Sequence, residues 1–324
     1  MAQIVEIPVA RQLLSCDHQA GGHKSKDMGM HMCVDGQGLF YKPFQSGPRS
    51  EREMQFYASV SYTVVDVEPD GMRPHAAYPA SNGAVPDCML SSRGPKEHDV
   101  TELLAFVPKY WGRYKADGHS FIVLEDFCAD LIHPCVLDCK MGFTTVYDWA
   151  DEEYKSKNSV KDASTSTSSV GFRVSGMQRY CMTSKENIQA DKDWCLQLNK
   201  HNIGNVFSMF ASSSGGPSLT DLYCHPECGV LVQLRQFQTW CARQSSYQFY
   251  QASIIIIYDA SAATVQEAKV RVKFVDFAHT FRMTEERPDE NLFNAVTSLI
   301  SVIEGVCSTA CEGVRKASDA ADVK

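Results

Sequence analysis

Residues 134–142 read Pro134-Cys-Val-Leu-Asp138-Cys-Lys140-Met-Gly142. The apolar run after the proline predicts a strand, and in a strand residues two apart point to the same face. The Asp138 carboxylate and the Lys140 ammonium would therefore project together, and Gly142 would allow a sharp exit from the strand. A carboxylate beside a cation suits nucleotide phosphate chemistry, although an ion pair on a half-exposed strand explains the same spacing.

A second candidate segment lies further along the chain, at the end of an alternating stretch. In residues 268–276, Lys269, Arg271 and Lys273 alternate with apolar residues, which predicts a strand that ends at Asp276. An Asp that leaves a strand can present an oxygen ligand to Mg²⁺, and His279 could donate a hydrogen bond to an anionic substrate. A turn-forming Asp and a structural His are the alternative interpretation.

The N-terminal part predicts a strand followed by a helix. Residues 38–43 form the strand, entered through an Asp-Gly turn signal, and Ser50-Glu-Arg-Glu53 is a capping box that starts a helix near Glu51. A strand Lys held by a helix Glu and aimed at nucleotide phosphates is the arrangement of protein kinases, which makes Lys42 and Glu53 candidates. The capping box alone accounts equally well for Glu53.

The remaining elements indicate a mixed α+β chain. Buried strands are predicted at 121–124, 135–137 and 254–257, and amphipathic helices at 229–241 and 290–304. Residues 148–161 have acids first and bases later, as a short helix does, with Lys157 and Lys161 on one face. Two lysines on one face can bind phosphates, and a solvated helix is the alternative.

Composition excludes several classes of protein. The 324 residues are 44% hydrophobic and 22% charged, which is ordinary for a folded globular chain. The net charge of −8 argues against a protein that coats nucleic acid or anionic membrane, but it leaves room for a small anionic ligand. The 13 scattered cysteines predict reduced thiols and a cytoplasmic or nuclear location. No apolar stretch is long enough to predict a membrane span.

The strings PCVLDCKMG and VDFAHT, in this order, resemble the inositol polyphosphate kinase family. The first matches the family signature P-x-x-x-D-x-K-x-G at every fixed position. HQAGGH at 18–23, GQGLFYKP at 36–43 and FIVLEDF at 121–127 agree with the same family. The stretch at 229–259 is most similar to the multikinase branch found in plants, and the hexakisphosphate kinase branch is the next most similar.

The resemblance implies a two-lobed α+β fold related to protein kinases, with an ATP-grasp-like arrangement of antiparallel sheets. Residues 1–125 would form the N-lobe, with a flexible insertion at 66–98. Residues 126–324 would form the C-lobe and include an inositol-phosphate-binding helical segment at 143–170. ATP would lie in the cleft between the lobes.

The resemblance also implies roles for individual residues in an ATP- and Mg²⁺-dependent kinase. Lys42 would contact the ATP phosphates with Glu53 as its partner, and the backbone of Glu125 and Phe127 would bind adenine. Asp138 would contact the ribose and the accepting hydroxyl. Lys140 would hold the substrate phosphate and the transferring phosphoryl group, and Asp276 would bind Mg²⁺. The inositol phosphate would be contacted by Lys157, Lys161 and His279.

Three functions are compatible with these residues. The first is a multikinase that phosphorylates ring hydroxyls of soluble inositol polyphosphates. The second is a hexakisphosphate kinase that makes pyrophosphates. The third is a regulatory binding protein that keeps the fold and recruits partners through the 66–98 insertion. A monomer without direct nucleic-acid binding is expected in each case.

Overall fold

The computed structural model describes residues 13–18, 20, 31–62, 97–116, 118–212, 216–283 and 287–321. Residues 66–96 of the predicted insertion lie outside this set, as does most of the motif at 18–23. The described chain combines helices with antiparallel sheets. The predicted α+β class is therefore confirmed.

The first sheet is antiparallel and has five strands in the order β1-β2-β3-β5-β4. They are β1 Leu14–Ser15, β2 Cys33–Val34, β3 Leu39–Pro43, β4 Tyr110–Ala116 and β5 His119–Glu125. Asp35 closes the turn between β2 and β3, because its Oδ1 accepts from the N–H groups of Gln37 (2.8 Å) and Leu39 (3.1 Å). The predicted turn and both predicted strands of this region are confirmed.

Helix α1 (Arg49–Tyr62) follows β3, close to where it was predicted to start. The predicted capping box is wrong. Ser50 Oγ accepts a hydrogen bond from Gln45 N (2.8 Å), and Glu53 turns inward to the ammonium group of Lys42 on β3. A charge-assisted hydrogen bond is roughly twice as strong as a neutral one, so the buried cation is the better partner. The apolar face of α1 is buried as its spacing predicted, with Met54, Tyr57 and Val60 in the core.

The second sheet is antiparallel and has the order β11-β10-β6-β7-β8. Its strands are β6 Pro134–Met141, β7 Phe172–Cys181, β8 Glu186–Ala190, β10 Ser253–Asp259 and β11 Arg271–Val275. Strand β6 is central, with Asp138 opposite Ile255 and Lys140 opposite Ser253 on β10. A short pair, β9 Tyr247–Phe249 and β12 Thr280–Arg282, forms a third sheet.

Strand β11 is shorter than its alternating pattern predicted. Lys269 lies before the strand in a turn with φ of 50°, and its Nζ donates to the Asp130 carboxylate (3.0 Å). Arg271 on β11 forms an ion pair with the same carboxylate (2.7 Å). The alternation therefore predicted the correct face for Arg271, but the strand begins three residues later and ends one residue earlier than predicted.

Eight further helices surround the second sheet in the described residues. They are α2 Glu97–Leu103, α3 Glu152–Ser164, α4 Thr167–Val170, α5 Lys192–Leu196, α6 Ile203–Phe210, α7 Leu219–Cys224, α8 Val230–Arg243 and α9 Glu290–Ala321. The apolar stripe of α8 is buried as predicted, and α9 extends well beyond its predicted end.

Helix α9 is the one described helix whose length and composition would allow it to cross a membrane, over Glu290–Glu312. Its apolar face packs into the main hydrophobic core, where Leu292, Val296, Leu299 and Ile303 are almost fully buried. A helix that packs on the core of a globular domain can have the same length and apolar composition as a membrane span. Packing on the core therefore accounts for the apolar stretch of α9.

Candidate active site

A cleft of about 820 Å³, open to solvent on one side, lies between the first and second sheets. Apolar side chains from both sheets line the cleft, among them Phe40, Leu124, Val136, Ile255, Ile257 and Val275. Lys42, Asp138 and Asp276 line the same cleft. The combination of apolar walls with a few charged groups at one end suits a flat ring joined to a phosphate chain.

The chain crosses from the first sheet to the second at residues 125–133, at the edge of this cleft. The backbone of Lys109 holds Glu125 in place. The Lys109 carbonyl accepts a hydrogen bond from Glu125 N (2.9 Å), and the Lys109 backbone N–H donates one to Glu125 Oε2 (3.2 Å). Phe127 is buried and lines the cleft, and its N–H has no hydrogen-bond partner among the described residues. This donor is therefore available for a ligand at the position predicted for adenine.

Lys42, Glu53 and Asp276 form a charged triad at the inner end of the cleft. Lys42 Nζ lies 2.8 Å from Glu53 Oε1 and 2.6 Å from Asp276 Oδ1, and Lys42 and Glu53 are almost fully buried. Burial alone would lower the pKa of Lys42, but the Asp276 and Glu53 carboxylates outweigh it and raise the pKa above its usual value. Lys42 therefore stays charged, and Glu53 orients it.

Strand β6 places Asp138 and Lys140 beside Asp276, as the two motifs predicted. Lys140 Nζ donates to the Gln251 carbonyl (2.6 Å) and lies 3.6 Å from Asp276 Oδ2. Asp138 Oδ1 is buried and has no hydrogen-bond partner among the described residues. Burial raises the pKa of Asp138, and the Asp276 charge adds to this against the opposing Lys140. Asp138 is thus a carboxylate with an unused oxygen and an increased proton affinity.

Asp276 is held in a left-handed backbone conformation (φ 69°) directly after β11. Asp adopts this region more readily than most residues, and the turn aims its carboxylate back over β6. Burial would raise the pKa of Asp276, but Lys42 and Lys140 reverse the effect and hold it below its usual range. Asp276 is consequently ionised at neutral pH, and about a third of its side chain is exposed to the cleft.

A basic cluster adjoins Asp138 on the side of α3 and β7. Arg173 on β7 lies opposite Lys140 in register, is buried, and is held by Thr167 Oγ1 (3.2 Å) and Asp162 (3.8 Å). Burial lowers the pKa of Lys161 to about 8, with repulsion from Arg173 and Lys140 adding to the effect. The charges of Arg173 and Lys140 therefore act on Lys161, and its assignment to the substrate phosphate stays a prediction.

Lys157 is not brought into this cluster. It is exposed one turn before Lys161 on α3 and makes no hydrogen bond or ion pair with a described residue. The two lysines were predicted to share one face of the helix, but their burial differs. Lys161 lies with Tyr154 and Asn158 on the half-buried side of α3, whereas Lys157 is exposed to solvent. Its assignment to the substrate stays a prediction.

His279 lies at the opposite side of the site, near the start of α1. Its Nδ1 is 3.3 Å from Tyr147 Oη, and burial lowers the pKa of His279 to about 3, with the charges of Arg52 and Arg49 adding to the effect. His279 is therefore neutral at physiological pH and can offer one N–H. Arg52 is fixed by its hydrogen bond to the Ala278 carbonyl (2.7 Å).

Sequence reasoning missed the arginines around the site. Arg173 was missed, although an Arg between Phe172 and Val174 in a strand is itself a signal of a specific buried partner. Arg49 precedes the supposed capping box and Arg52 lies inside it, and the packing of α1 on β12 brings their charges to bear on His279.

The carboxylates at the inner end of the cleft fit a hard divalent cation. Mg²⁺ prefers one or two carboxylate oxygens together with water and substrate phosphates. Asp276 is ionised and partly open to the cleft, and Asp138 has a buried oxygen without a partner in the described chain. These two residues therefore form a suitable donor set for the metal predicted at Asp276.

Comparison with known proteins identifies the relatives of this chain. The family model for inositol polyphosphate kinase matches residues 121–304. The inositol polyphosphate multikinase IPK2 of Oryza sativa subsp. indica is 32% identical over 313 residues, covering 94% of this chain and 98% of the relative. Inositol polyphosphate multikinase alpha of Arabidopsis thaliana is 30% identical, covering 91% and 96%. Inositol hexakisphosphate kinase 3 of Mus musculus is 30% identical, covering 62% and only 55%.

Solved structures agree with these relatives. A structure of an inositol phosphate multikinase is 29% identical, covers 64% of this chain and 92% of its own, and has a TM-score of 0.56. The multikinase Ipk2 of S. cerevisiae, solved with ADP and Mn²⁺, is 16% identical with a TM-score of 0.57, covering 83% and 98%. The second similarity shows the fold alone.

Proposed function

The chain belongs to the inositol polyphosphate kinase family, and from this premise we propose that it transfers the γ-phosphoryl group of ATP to hydroxyls of soluble inositol polyphosphates. The observation that carries the proposal is the meeting of Lys42, Asp138, Lys140 and Asp276 at one end of a cleft. Phosphoryl transfer requires positioning and neutralisation of charge more than a strong base, and these groups supply both.

The nucleotide fits the cleft in one orientation. The apolar walls would accept the adenine ring beside the N–H of Phe127, which no described residue occupies, and the phosphates would then reach Lys42. Lys42 is held by Glu53 on one side, so its charge points at the phosphates without any rearrangement of the chain. Asp276 would hold the divalent cation, which when bound neutralises the phosphate oxygens, and Asp138 Oδ1 would stay available to the attacking hydroxyl.

Lys140 and Asp138 are placed to act on the reacting groups. Lys140 is fixed by the Gln251 carbonyl and can neutralise charge on the equatorial oxygens of the transferring phosphoryl group. Asp138, with its raised pKa and its unused oxygen, can accept the proton of the attacking hydroxyl. Both side chains leave the same face of β6, which keeps the hydroxyl and the phosphoryl group close together.

The acceptor is a compact polyanion, because the site beyond β6 is cationic. Lys161 and Arg173 lie on one side of Lys140, and Arg49 and Arg52 lie near His279 on the other. An acidic chain of net charge −8 binds such a ligand through this local cluster. Positive charge confined to a local cluster favours a compact inositol phosphate over an extended nucleic acid.

The test is a panel assay with Mg-ATP and inositol tris-, tetrakis-, pentakis- and hexakisphosphates, with separation of products. We expect phosphorylation of free ring hydroxyls. Products that contain a pyrophosphate would instead assign the chain to the hexakisphosphate kinases, an alternative weakened by its shorter match to them.

The variant Lys140→Ala should lower kcat by about 10²–10³, the range for loss of one preorganised contact to transition-state charge. Lys200→Ala, an exposed lysine away from the cleft, is the matched control. Turnover of Lys140→Ala near that of the control would contradict the proposed role of Lys140.

The oligomeric state and the location are part of the same proposal. We infer a monomer, and sedimentation would test this. A cytoplasmic or nuclear location is supported by the free thiols of all the described cysteines, which suit a reducing compartment. Cell fractionation is the corresponding experiment.

A further inference from the structure

A cluster of metal-binding side chains lies at the edge of the cleft, away from the phosphate end. Cys16 and His18 come from the segment after β1, and Asp126 and Cys128 come from the crossing between the two sheets. The donor atoms of His18, Asp126 and Cys128 all lie within 4.8 Å of one another. Cys16, two residues before His18, is buried and lines the same edge of the cleft.

The chemistry of these donors is that of a zinc site. Two thiols, an imidazole and a carboxylate are ligands that Zn²⁺ takes in tetrahedral geometry. The distance from His18 Nε2 to Asp126 Oδ1 is 3.2 Å, and the corresponding edge of a tetrahedron with zinc–ligand bonds of roughly 2.0–2.1 Å is about 3.3 Å. The pair is therefore already spaced as two ligands of one ion.

Burial and a backbone hydrogen bond order the side chains of this cluster. Cys16 and Cys128 are buried, so an ion there would be shielded from water on most sides. Asp126 Oδ1 also accepts from the backbone N–H of Cys128 (2.9 Å), which orients the carboxylate as an outer hydrogen bond does in metal sites. The motif at 224–228 has cysteines and a histidine too, but His225 there is occupied by backbone N–H groups and Gln266.

We propose that Cys16, His18, Asp126 and Cys128 bind one Zn²⁺ ion that fastens the N-terminal segment to the crossing at the edge of the cleft. The ion would join two parts of the chain that are more than 100 residues apart, and it would close one wall of the cleft. The site is separate from the proposed phosphoryl transfer, so either can fail without the other.

The experiment uses Co²⁺ as a spectroscopic probe on the full chain under reducing conditions. We expect one equivalent of Co²⁺ to produce a thiolate-to-metal charge-transfer band that Zn²⁺ abolishes. Cys16→Ser and Cys128→Ser should each lose most of this band, while Cys181→Ser, at a half-buried position on β7, should keep it. Zn²⁺ should raise the Tm of the wild-type protein and of Cys181→Ser but not of Cys128→Ser.

Two outcomes would overturn the proposal. Absence of the band in the folded wild-type protein would leave the cluster as an ion pair of His18 and Asp126 only. A band that persists in Cys128→Ser but disappears in Cys224→Ser would assign the metal to the separate thiols of α7 and α9. Circular dichroism and urea unfolding of each variant show whether it is folded, so a lost band can be attributed to the lost ligand.

Discussion

Replacement of Lys42 by Met tests whether the buried ion pair organises the cleft. The ammonium group of Lys42 is the partner of Glu53 Oε1 at 2.8 Å and of Asp276 Oδ1 at 2.6 Å. Its loss leaves the almost fully buried Glu53 carboxylate uncompensated beside Asp276. Removal of one partner from a buried ion pair costs about 3–5 kcal/mol, so we expect the free energy of unfolding to fall by that amount.

A second substitution separates folding from catalysis. In Lys42→Met/Glu53→Leu both charges are replaced by apolar groups of similar volume, which is often neutral for stability. The hydrogen bond from Phe277 N to Glu53 (3.4 Å) is also lost, so about 1 kcal/mol of the deficit should remain. Both variants lack the Lys42 cation for the nucleotide phosphates, and both should lose about 10²–10³ in kcat/KM.

Urea unfolding and a kinase assay on the two variants, with Lys200→Met as control, measure these effects. We expect the single variant to be unstable and inactive and the double variant to be stable and inactive. The reasoning is refuted if Lys42→Met loses less than about 1 kcal/mol of stability, or if the double variant retains turnover within about tenfold of wild type.

Three further predictions concern single groups of the site. Lys161 has a pKa of about 8 before the substrate binds, so the KM of the wild-type enzyme for the inositol phosphate should rise above pH 8 as this lysine loses its charge. An arginine keeps its charge, so this rise should be absent in Lys161→Arg. Equal pH profiles of KM in the two proteins would argue against contact between Lys161 and the substrate. His279 has a folded pKa of about 3, below the unfolded value of 6.5, so the stability that its neutral imidazole contributes is fully present above pH 6.5 and is lost as the pH falls toward 3. In His279→Asn this loss, about 1.4 kcal/mol per pH unit in urea unfolding, should be absent, and parallel curves would show that His279 is not buried in its neutral form. Asp276→Asn should weaken Mn²⁺ binding in the presence of ADP by at least about tenfold, whereas Asp130→Asn, which removes a surface ion pair with Lys269, should not; equal affinities would place the metal elsewhere.

The local elements follow from short-range patterns and were largely predictable. Period-two alternation located β11 apart from its first residues, and the apolar spacing of α8 named its buried face correctly. The same-face rule placed Asp138 and Lys140 together on β6, because a strand imposes it whatever the strand packs against. The element order and the two motifs were sufficient to indicate the family.

Contacts between distant segments could be decided only by the packing of the two sheets. Lys42 and Asp276 are 234 residues apart, and local spacing cannot report a distance of 2.6 Å between their side chains. Glu53 shows the difference most clearly, since its sequence neighbours favour a helix cap while the fold offers it a buried ammonium group. Arg173, Arg49 and the cluster at His18 were hidden for the same reason: burial and long-range charge determine what those side chains do, and both arise only after the chain has folded.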